Sequence, residues 1–122
     1  MKPALFQGGL LISSMLCIAN AFSSPQEEIA HLVSFIGNTG CQYERNGTLH
    51  SGSEAVEHIK KKAEYHAEKI ESAEDFIRYA ATKSMFSGRL YKIHCHGNTP
   101  IESQIWLKAE LDNYRVHLRN QN

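Results

Sequence analysis

Several features that would point to a class of function are missing from this sequence of 122 residues. The 13 lysine and arginine residues are balanced by 13 aspartate and glutamate residues, so no excess of positive charge favours nucleic acid as a partner. The chain contains no internal repeat, no low-complexity tract and no linker long enough to separate two domains. We therefore expect a single domain that does not bind nucleic acid.

The common catalytic motifs are also missing. The chain has neither the H-E-x-x-H motif of zinc proteases nor the G-x-S-x-G motif of serine hydrolases. His94 and His96 flank Cys95, but side chains alternate along a strand, so both rings would point away from the sulfur atom. We expect a non-catalytic protein without a cofactor.

The first 21 residues have the pattern of a secretory signal peptide. Lys2 precedes the apolar stretch 10–19, and Ala19-Asn20-Ala21 forms an A-x-A cleavage site. Gln7-Gly8-Gly9 limits the apolar stretch to about half of the roughly 20 residues that a transmembrane helix needs. We predict an exported protein with a signal peptide over residues 1–21 and no stable membrane anchor after cleavage.

Cleavage would remove Cys17 and leave Cys41 and Cys95 in a single domain of residues 22–122. An even number of cysteines in a small secreted domain favours a disulfide. The bond would close a loop of about 55 residues, which stabilises the fold by roughly 4 kcal/mol through loss of chain entropy in the unfolded state. We therefore predict a bond between Cys41 and Cys95.

Periodicity and capping residues predict an α+β domain of about four helices and a two- or three-stranded antiparallel sheet. Ser24, Ser51 and Ser72 begin the first three helices, and Asn46-Gly47 is typical of a tight hairpin turn. The predicted elements are a helix over 25–36, strands over 41–45 and up to 50, a helix from about 52 to 70, a helix from 73 to about 84, a strand over 90–95, and a last helix that begins near Pro100.

Two helical segments carry further expectations. Lys60-Lys61-Lys62 lies among Glu57, Glu64 and Glu68, which indicates a solvated helix face rather than a phosphate site. Trp106 lies off the apolar stripe of the last helix, and we expect it to pack at the helix edge.

Motifs spread over residues 41–115 resemble the YfeK-like family of small, uncharacterised bacterial periplasmic proteins, a domain of unknown function. The motifs are C-x-x-x-R-N-G-x-x-H from Cys41, E-A-x-x-H-I-x-x-K from Glu54, S-A-E-x-F-I from Ser72, S-G-x-x-Y from Ser87, Cys95, and Trp106-Leu107. The resemblance implies a periplasmic location, and it supports the pairing of Cys41 with Cys95. This chain departs from the family pattern at Met85 and Leu90, which argues against a role that needs a serine cluster there.

One set of polar residues is a candidate ligand pocket: Arg45, Asn46, His50, His58 and Tyr91. Arg45 is suited to bind a carboxylate or a phosphate through two parallel hydrogen bonds. In the alternative interpretation, Arg45 and Asn46 only form the hairpin turn, and Tyr91 fills the core.

These residues favour a disulfide-linked binding or interaction module of the cell envelope, with a protein or an envelope-derived ligand as its partner. The first alternative is a small metal-dependent envelope hydrolase that uses His50, Glu54 and His58, whose spacing of four places neighbours on one side of a helix. The second alternative is an inhibitor or immunity-type protein.

Overall fold

The computed structural model describes residues 8–13 and 22–121. The predicted signal peptide, with Cys17, falls largely outside the described residues. Within the described ranges, no helix combines the length and the apolar character needed to cross a membrane.

Four α-helices form most of the domain: α1 (Pro25–Asn38), α2 (Gly52–Tyr65), α3 (Ala73–Ala80) and α4 (Ser103–Asn120). A serine caps each of the first three, because its hydroxyl accepts a hydrogen bond from the backbone N–H three residues later. These caps are Ser24, Ser51 and Ser72, with distances of 3.1, 3.2 and 3.1 Å. The serine signals in the sequence therefore located the starts of these helices correctly.

The strands form one antiparallel sheet in the order β2-β1-β3-β4. Their bounds are β1 (Gln42–Arg45), β2 (Thr48–His50), β3 (Lys92–His94) and β4 (Ile101–Glu102). The α+β class is confirmed, but the sheet has four strands rather than the predicted two or three.

The extra strand comes from the segment that was expected to begin the last helix. Ile101 pairs with Ile93 and Glu102 pairs with Lys92, so α4 begins only at Ser103. Proline suits the first turn of a helix, but it also suits the position just before an edge strand. The pairing with β3 decides between the two, and local sequence does not contain that information.

Two predicted helix ends were too late. The second helix ends at Tyr65, and a single 3₁₀ turn, Ala67–Lys69, follows it with none of its residues buried, so that only Ile70 beyond the turn packs against the core. The third helix ends at Ala80, because the Thr82 hydroxyl donates to the Ile77 carbonyl at 2.7 Å and the chain then turns into a bridge between Lys83 and Leu90.

The helices pack against one face of the sheet. Tyr43 and Ile93, which are opposite each other on β1 and β3, point into the core, whereas their neighbours along the strands are exposed or half-buried. The helices contribute the following buried side chains: Leu32, Ile36, Ile59, Phe76, Ile77, Leu107 and Leu111. Trp106 is half-buried at the edge of this core, with its ring 4.5 Å from that of Phe35, as expected.

The predicted disulfide is present. Cys41 and Cys95 are bonded, with their Cα atoms 4.4 Å apart and a separation of 54 positions along the chain. The bond joins the chain just before β1 to the chain just after β3. It therefore links the hairpin to the second half of the fold next to the sheet.

Candidate functional site

A cavity of about 630 Å³ lies between the β1–β2 hairpin, α2 and the loop that connects α3 to β3. Its volume falls within the range of small-molecule sites. All five residues of the predicted pocket line it, and five more join them. The lining residues are Arg45, Asn46, Thr48, His50, His58, Lys62, Ser84, Met85, Phe86 and Tyr91.

The hairpin turn and the α3–β3 loop are tied together by Asn46. Asn46 and Gly47 have φ values of 51° and 80°, as a two-residue turn of this hand requires. The Asn46 amide donates to the Ser84 hydroxyl at 3.2 Å and accepts from the Ser87 hydroxyl at 2.6 Å. The two interpretations of Asn46 are therefore compatible, because the residue that forms the turn also builds one wall of the cavity.

Lys62 is the main residue of the site that the sequence interpretation missed. The expectation of a solvated face was wrong at this position: Lys60 and Lys61 are exposed, whereas Lys62 is only 7% exposed. Its position relative to Ala55 and Ile59 carried the signal, since spacings of three and seven place Lys62 on the apolar stripe.

The Lys62 ammonium group is held by two acceptors. It donates to the Lys83 carbonyl and, at 3.0 Å, to the Tyr91 hydroxyl, and it lies 4.7 Å from the centre of the Tyr91 ring. Burial, and then the nearby Arg45 charge, lower the pKa of Lys62 to about 8. The side chain is therefore predominantly charged at neutral pH, although it is buried.

His58 lies between Arg45 and Tyr91. Burial, and then the charges of Arg45 and Lys62, lower the pKa of His58 to about 4, so the ring is neutral at pH 7. A guanidinium group can only donate, so His58 Nδ1 accepts from Arg45. The single proton of the ring is then on Nε2, which donates to the Tyr91 hydroxyl at 3.2 Å.

The Tyr91 hydroxyl therefore accepts two hydrogen bonds, one from His58 and one from Lys62. Burial raises the pKa of Tyr91, so the hydroxyl keeps its own proton. Neither neighbouring group can accept that proton, because Lys62 is charged and His58 Nε2 already carries a hydrogen. Tyr91 is only 2% exposed, so it fills the core as the alternative interpretation expects, but it also lines the cavity, and its O–H remains a donor there.

The site has positive charge that no nearby carboxylate neutralises. In the part of the chain that the structure describes, neither Arg45 nor Lys62 forms an ion pair. Glu44, which is next to Arg45 in the chain, pairs with His94 instead, and Glu54 accepts from His50 Nδ1 at 3.1 Å. His50 Nε2 is buried and has no hydrogen-bond partner among the described residues.

The three residues of the metal alternative lie around one small cavity, but their side chains bind each other or other groups. His50 contacts Glu54, but both ring nitrogens of His58 are engaged by Arg45 and Tyr91. Within residues 8–13 and 22–121, no group of three or more His, Cys, Asp or Glu side chains is arranged to hold a metal ion. Nearby in the sheet, His94 pairs with Glu44 at 3.0 Å, and the Cys95 sulfur is used in the disulfide.

Comparison with known proteins identifies a family without a known activity. A family model described as a family of unknown function (DUF5329) matches residues 23–115, which is more than half of the chain. No curated protein matches this chain, and no solved structure matches it.

Proposed function

We propose that this chain, which belongs to the DUF5329 family of unknown function, is an exported, non-catalytic binding module that takes its ligand in the cavity beside Lys62. The observation that carries the proposal is the convergence of Arg45, His58, Lys62 and Tyr91 from three separate segments on one cavity. A buried lysine without a carboxylate partner is costly for a fold, and a ligand that contacts it offsets part of that cost.

Export to the periplasm is part of the proposal. It is supported by the signal-peptide pattern over residues 1–21, by the disulfide, which oxidising compartments favour, and by the resemblance to the YfeK-like family. Cleavage would leave residues 22–122 as a single domain. N-terminal sequencing of the protein from a periplasmic fraction tests this: Phe22 as the first residue supports export, and an intact Met1 in the cytoplasmic fraction contradicts it.

Capture of a compound from a cell-envelope extract tests the binding function. Native mass spectrometry of the purified domain, after incubation with the extract, should show a retained small molecule in the wild type. Thr48 lines the cavity from β2, so Thr48→Trp fills part of the cavity and should abolish retention. Leu49→Trp is the matched control, because Leu49 is next to Thr48 on the same strand and points to the opposite face of the sheet.

Two results would contradict this function. Equal retention in Thr48→Trp and Leu49→Trp would place the ligand elsewhere, and no retained compound in the wild type would remove the basis for a small-molecule module. A protein partner, whether a target enzyme or another envelope protein, would instead be detected by cross-linking in intact cells. The inhibitor or immunity-type alternative stays a prediction of the sequence.

A further inference from the structure

We propose that the ligand carries an oxyanion group, a carboxylate or a phosphate, which Arg45, Lys62 and Tyr91 bind, and an apolar part that packs against Met85 and Phe86. This inference rests on the proposed function, because it names the class of ligand that the same cavity would take.

The first step of the argument is charge. Arg45 and Lys62 both carry a positive charge at neutral pH, His58 between them is neutral, and neither cation is paired with a carboxylate among the described residues. Two neighbouring cations in a partly buried site repel each other, and Arg45 is one of the causes of the lowered pKa of Lys62. An anion between them relieves this repulsion, whereas a cation would increase it.

The second step is the count of hydrogen-bond donors. The Lys62 ammonium has three N–H groups and uses two, on Lys83 and Tyr91. Arg45 uses one of its five N–H groups on His58, and the Tyr91 O–H has no acceptor within this cluster. Three side chains thus place hydrogen-bond donors in one region that contains no carboxylate. An oxyanion, which can only accept hydrogen bonds, binds to such a set of donors.

The third step is the apolar lip of the cavity. Met85 is 58% exposed, and Phe86 is fully exposed, although hydrogen bonds fix the backbone of the loop that carries both. Ser84 fixes that loop: its hydroxyl accepts from the Phe86 and Ser87 backbone N–H groups at 3.3 and 3.4 Å. A cavity of about 630 Å³ is also much larger than a bare ion needs. We infer that the anion is one end of a larger molecule with an apolar portion.

Titration calorimetry with four six-carbon probes and inorganic phosphate tests this at pH 7. Hexyl phosphate and hexanoate should bind to the wild type, and hexylamine and hexanol should not. Inorganic phosphate should bind about tenfold more weakly than hexyl phosphate, because it lacks the apolar part. In Phe86→Ser, affinity for hexyl phosphate should fall, and affinity for inorganic phosphate should not change, since Phe86 is fully exposed in the free protein.

Variants of two lysines on the same helix test the anion contact. Lys62→Met should lower the affinity for hexyl phosphate at least about tenfold, which is the usual effect of losing one hydrogen bond to a charged group. Lys60→Met is the matched control, because Lys60 is exposed on α2, and its affinity should equal that of the wild type. Methionine has a similar length and is apolar, so the buried position should still be filled.

The wild-type protein provides a second measurement that does not depend on how a variant folds. Affinity for hexyl phosphate should fall as pH rises through about 8, because Lys62 loses its proton there. The other groups around Lys62 are Arg45 of β1, His50 of β2, His58 of α2 and Tyr91 before β3. Of these, His58 has a pKa of about 4 and Tyr91 has a raised pKa, so neither changes its protonation state near pH 8. The decrease should be present in Lys60→Met and absent in Lys62→Met.

The outcomes separate the two proposals. Hexanol or hexylamine binding as tightly as hexyl phosphate, or unchanged affinity in Lys62→Met, overturns the oxyanion inference and leaves a cavity that binds ligands. Failure of both anionic probes, together with capture of an envelope compound that Thr48→Trp abolishes, also overturns the inference and supports the proposed function. Anion binding that survives in Thr48→Trp contradicts both.

Discussion

His58 illustrates how burial selects one protonation state of a single residue. Its ring lies beside Arg45 and near Lys62, and its pKa in the folded protein is about 4. An unfolded histidine takes up a proton near pH 6.5. Between these two values the unfolded state binds more protons than the folded state, so the free energy of unfolding falls as pH falls from 6.5 to 4.

Replacing His58 should therefore reduce the sensitivity of the fold to acid. In His58→Gln, the free energy of unfolding should decrease less between pH 7 and pH 4.5 than it does in the wild type, because glutamine does not titrate. Urea unfolding at several pH values measures this difference. His96→Gln is the control, since His96 is exposed, and it should keep the wild-type dependence on pH. Identical slopes for His58→Gln and the wild type would contradict the assignment of a buried, neutral ring.

Some of the residues that line the cavity could be predicted from the sequence, and others could not. The five residues of the predicted pocket could be identified from the sequence because they are polar and lie within short motifs. They are Arg45, Asn46, His50, His58 and Tyr91. Lys62 stands in a run of three lysines, and only its place on the apolar stripe separates it from Lys60 and Lys61. Ser84, Met85 and Phe86 carry no periodic signal, because hydrogen bonds to a distant turn position their loop.

At the scale of elements, α1 and α2 meet at Gly52 with almost no space between them. A Cβ atom on Gly52 would lie 2.3 Å from the Ile36 carbonyl oxygen and 3.3 Å from Thr39 Cγ2. The first of these is a backbone atom in the last part of α1, so it cannot move without shifting the helix. The absence of a side chain at Gly52 therefore allows the start of α2 to contact α1.

Gly52→Ala should destabilise the protein by about 1–3 kcal/mol, the usual cost of an added group that forces backbone to move. Helix propensity alone predicts the opposite sign, because alanine is favoured over glycine within a helix by about 1 kcal/mol. Urea unfolding of Gly52→Ala tests the contact. Gly40→Ala is the control, since no atom lies within 4 Å of a Cβ at that position. A gain in stability for Gly52→Ala would contradict the close contact.

Three helices are joined by Arg115 of α4. Its guanidinium donates to both oxygens of Glu28 on α1, at 2.6 and 2.9 Å, and contacts Glu74 of α3 at 2.6 Å. These hydrogen bonds lower the pKa of Glu28, although its burial opposes this. Glu28 is 7% exposed, so loss of Arg115 would leave a buried carboxylate without a positively charged partner and with only the Ser23 hydroxyl donating to it at 2.9 Å.

Arg115→Met should cost about 2 kcal/mol, a value between those of exposed and fully buried ion pairs. The double variant with Glu28→Gln should lose less than Arg115→Met alone, because no buried charge is left unpaired. Arg119→Met, at an exposed position one turn later in α4, should have the stability of the wild type. Thermal unfolding of the four proteins checks the order. Equal losses for Arg115→Met and Arg119→Met would show that the ion pairs do not stabilise the helix packing.

The local sequence was sufficient to predict most helices and strands. It failed where a strand pairs with a partner that is distant along the chain. Ser24, Ser51 and Ser72 each begin a helix, and the Asn46-Gly47 turn connects two strands as expected. Ile101 pairs with Ile93 of β3 across a turn that contains Gly97. The residues next to Ile101 in the sequence do not indicate this pairing. The fold class could therefore be predicted, whereas the strand count and the start of α4 could not.

For the whole molecule, the disulfide is a covalent cross-link between the two halves of the domain. Cys41 precedes β1, and Cys95 follows β3, so the bond spans 54 positions of the chain. Both segments lead into walls of the cavity: β1 contributes Arg45, and Tyr91 lies just before β3. The bond restricts the unfolded chain and holds these two strands side by side.

Removal of the disulfide should lower the free energy of unfolding by about 4 kcal/mol, the loop-entropy value for this separation. That is a large share of the 5–15 kcal/mol typical of a domain. Urea unfolding of the double variant Cys41→Ala and Cys95→Ala measures the loss, and the wild type with a reducing agent should match it. Mass spectrometry that finds two free thiols in the exported protein, or equal stability of the double variant, would contradict this account.

The location of the ligand is the central claim, and chemical-shift mapping of the isotope-labelled wild-type domain tests it most directly. On addition of hexyl phosphate, the largest backbone amide changes should fall within residues 45–50, 58–62 and 83–91, the three segments around the cavity. Changes concentrated instead at residues 22–28 and 115–119, around the separate cavity of about 290 Å³ beside Arg115, would contradict the claim.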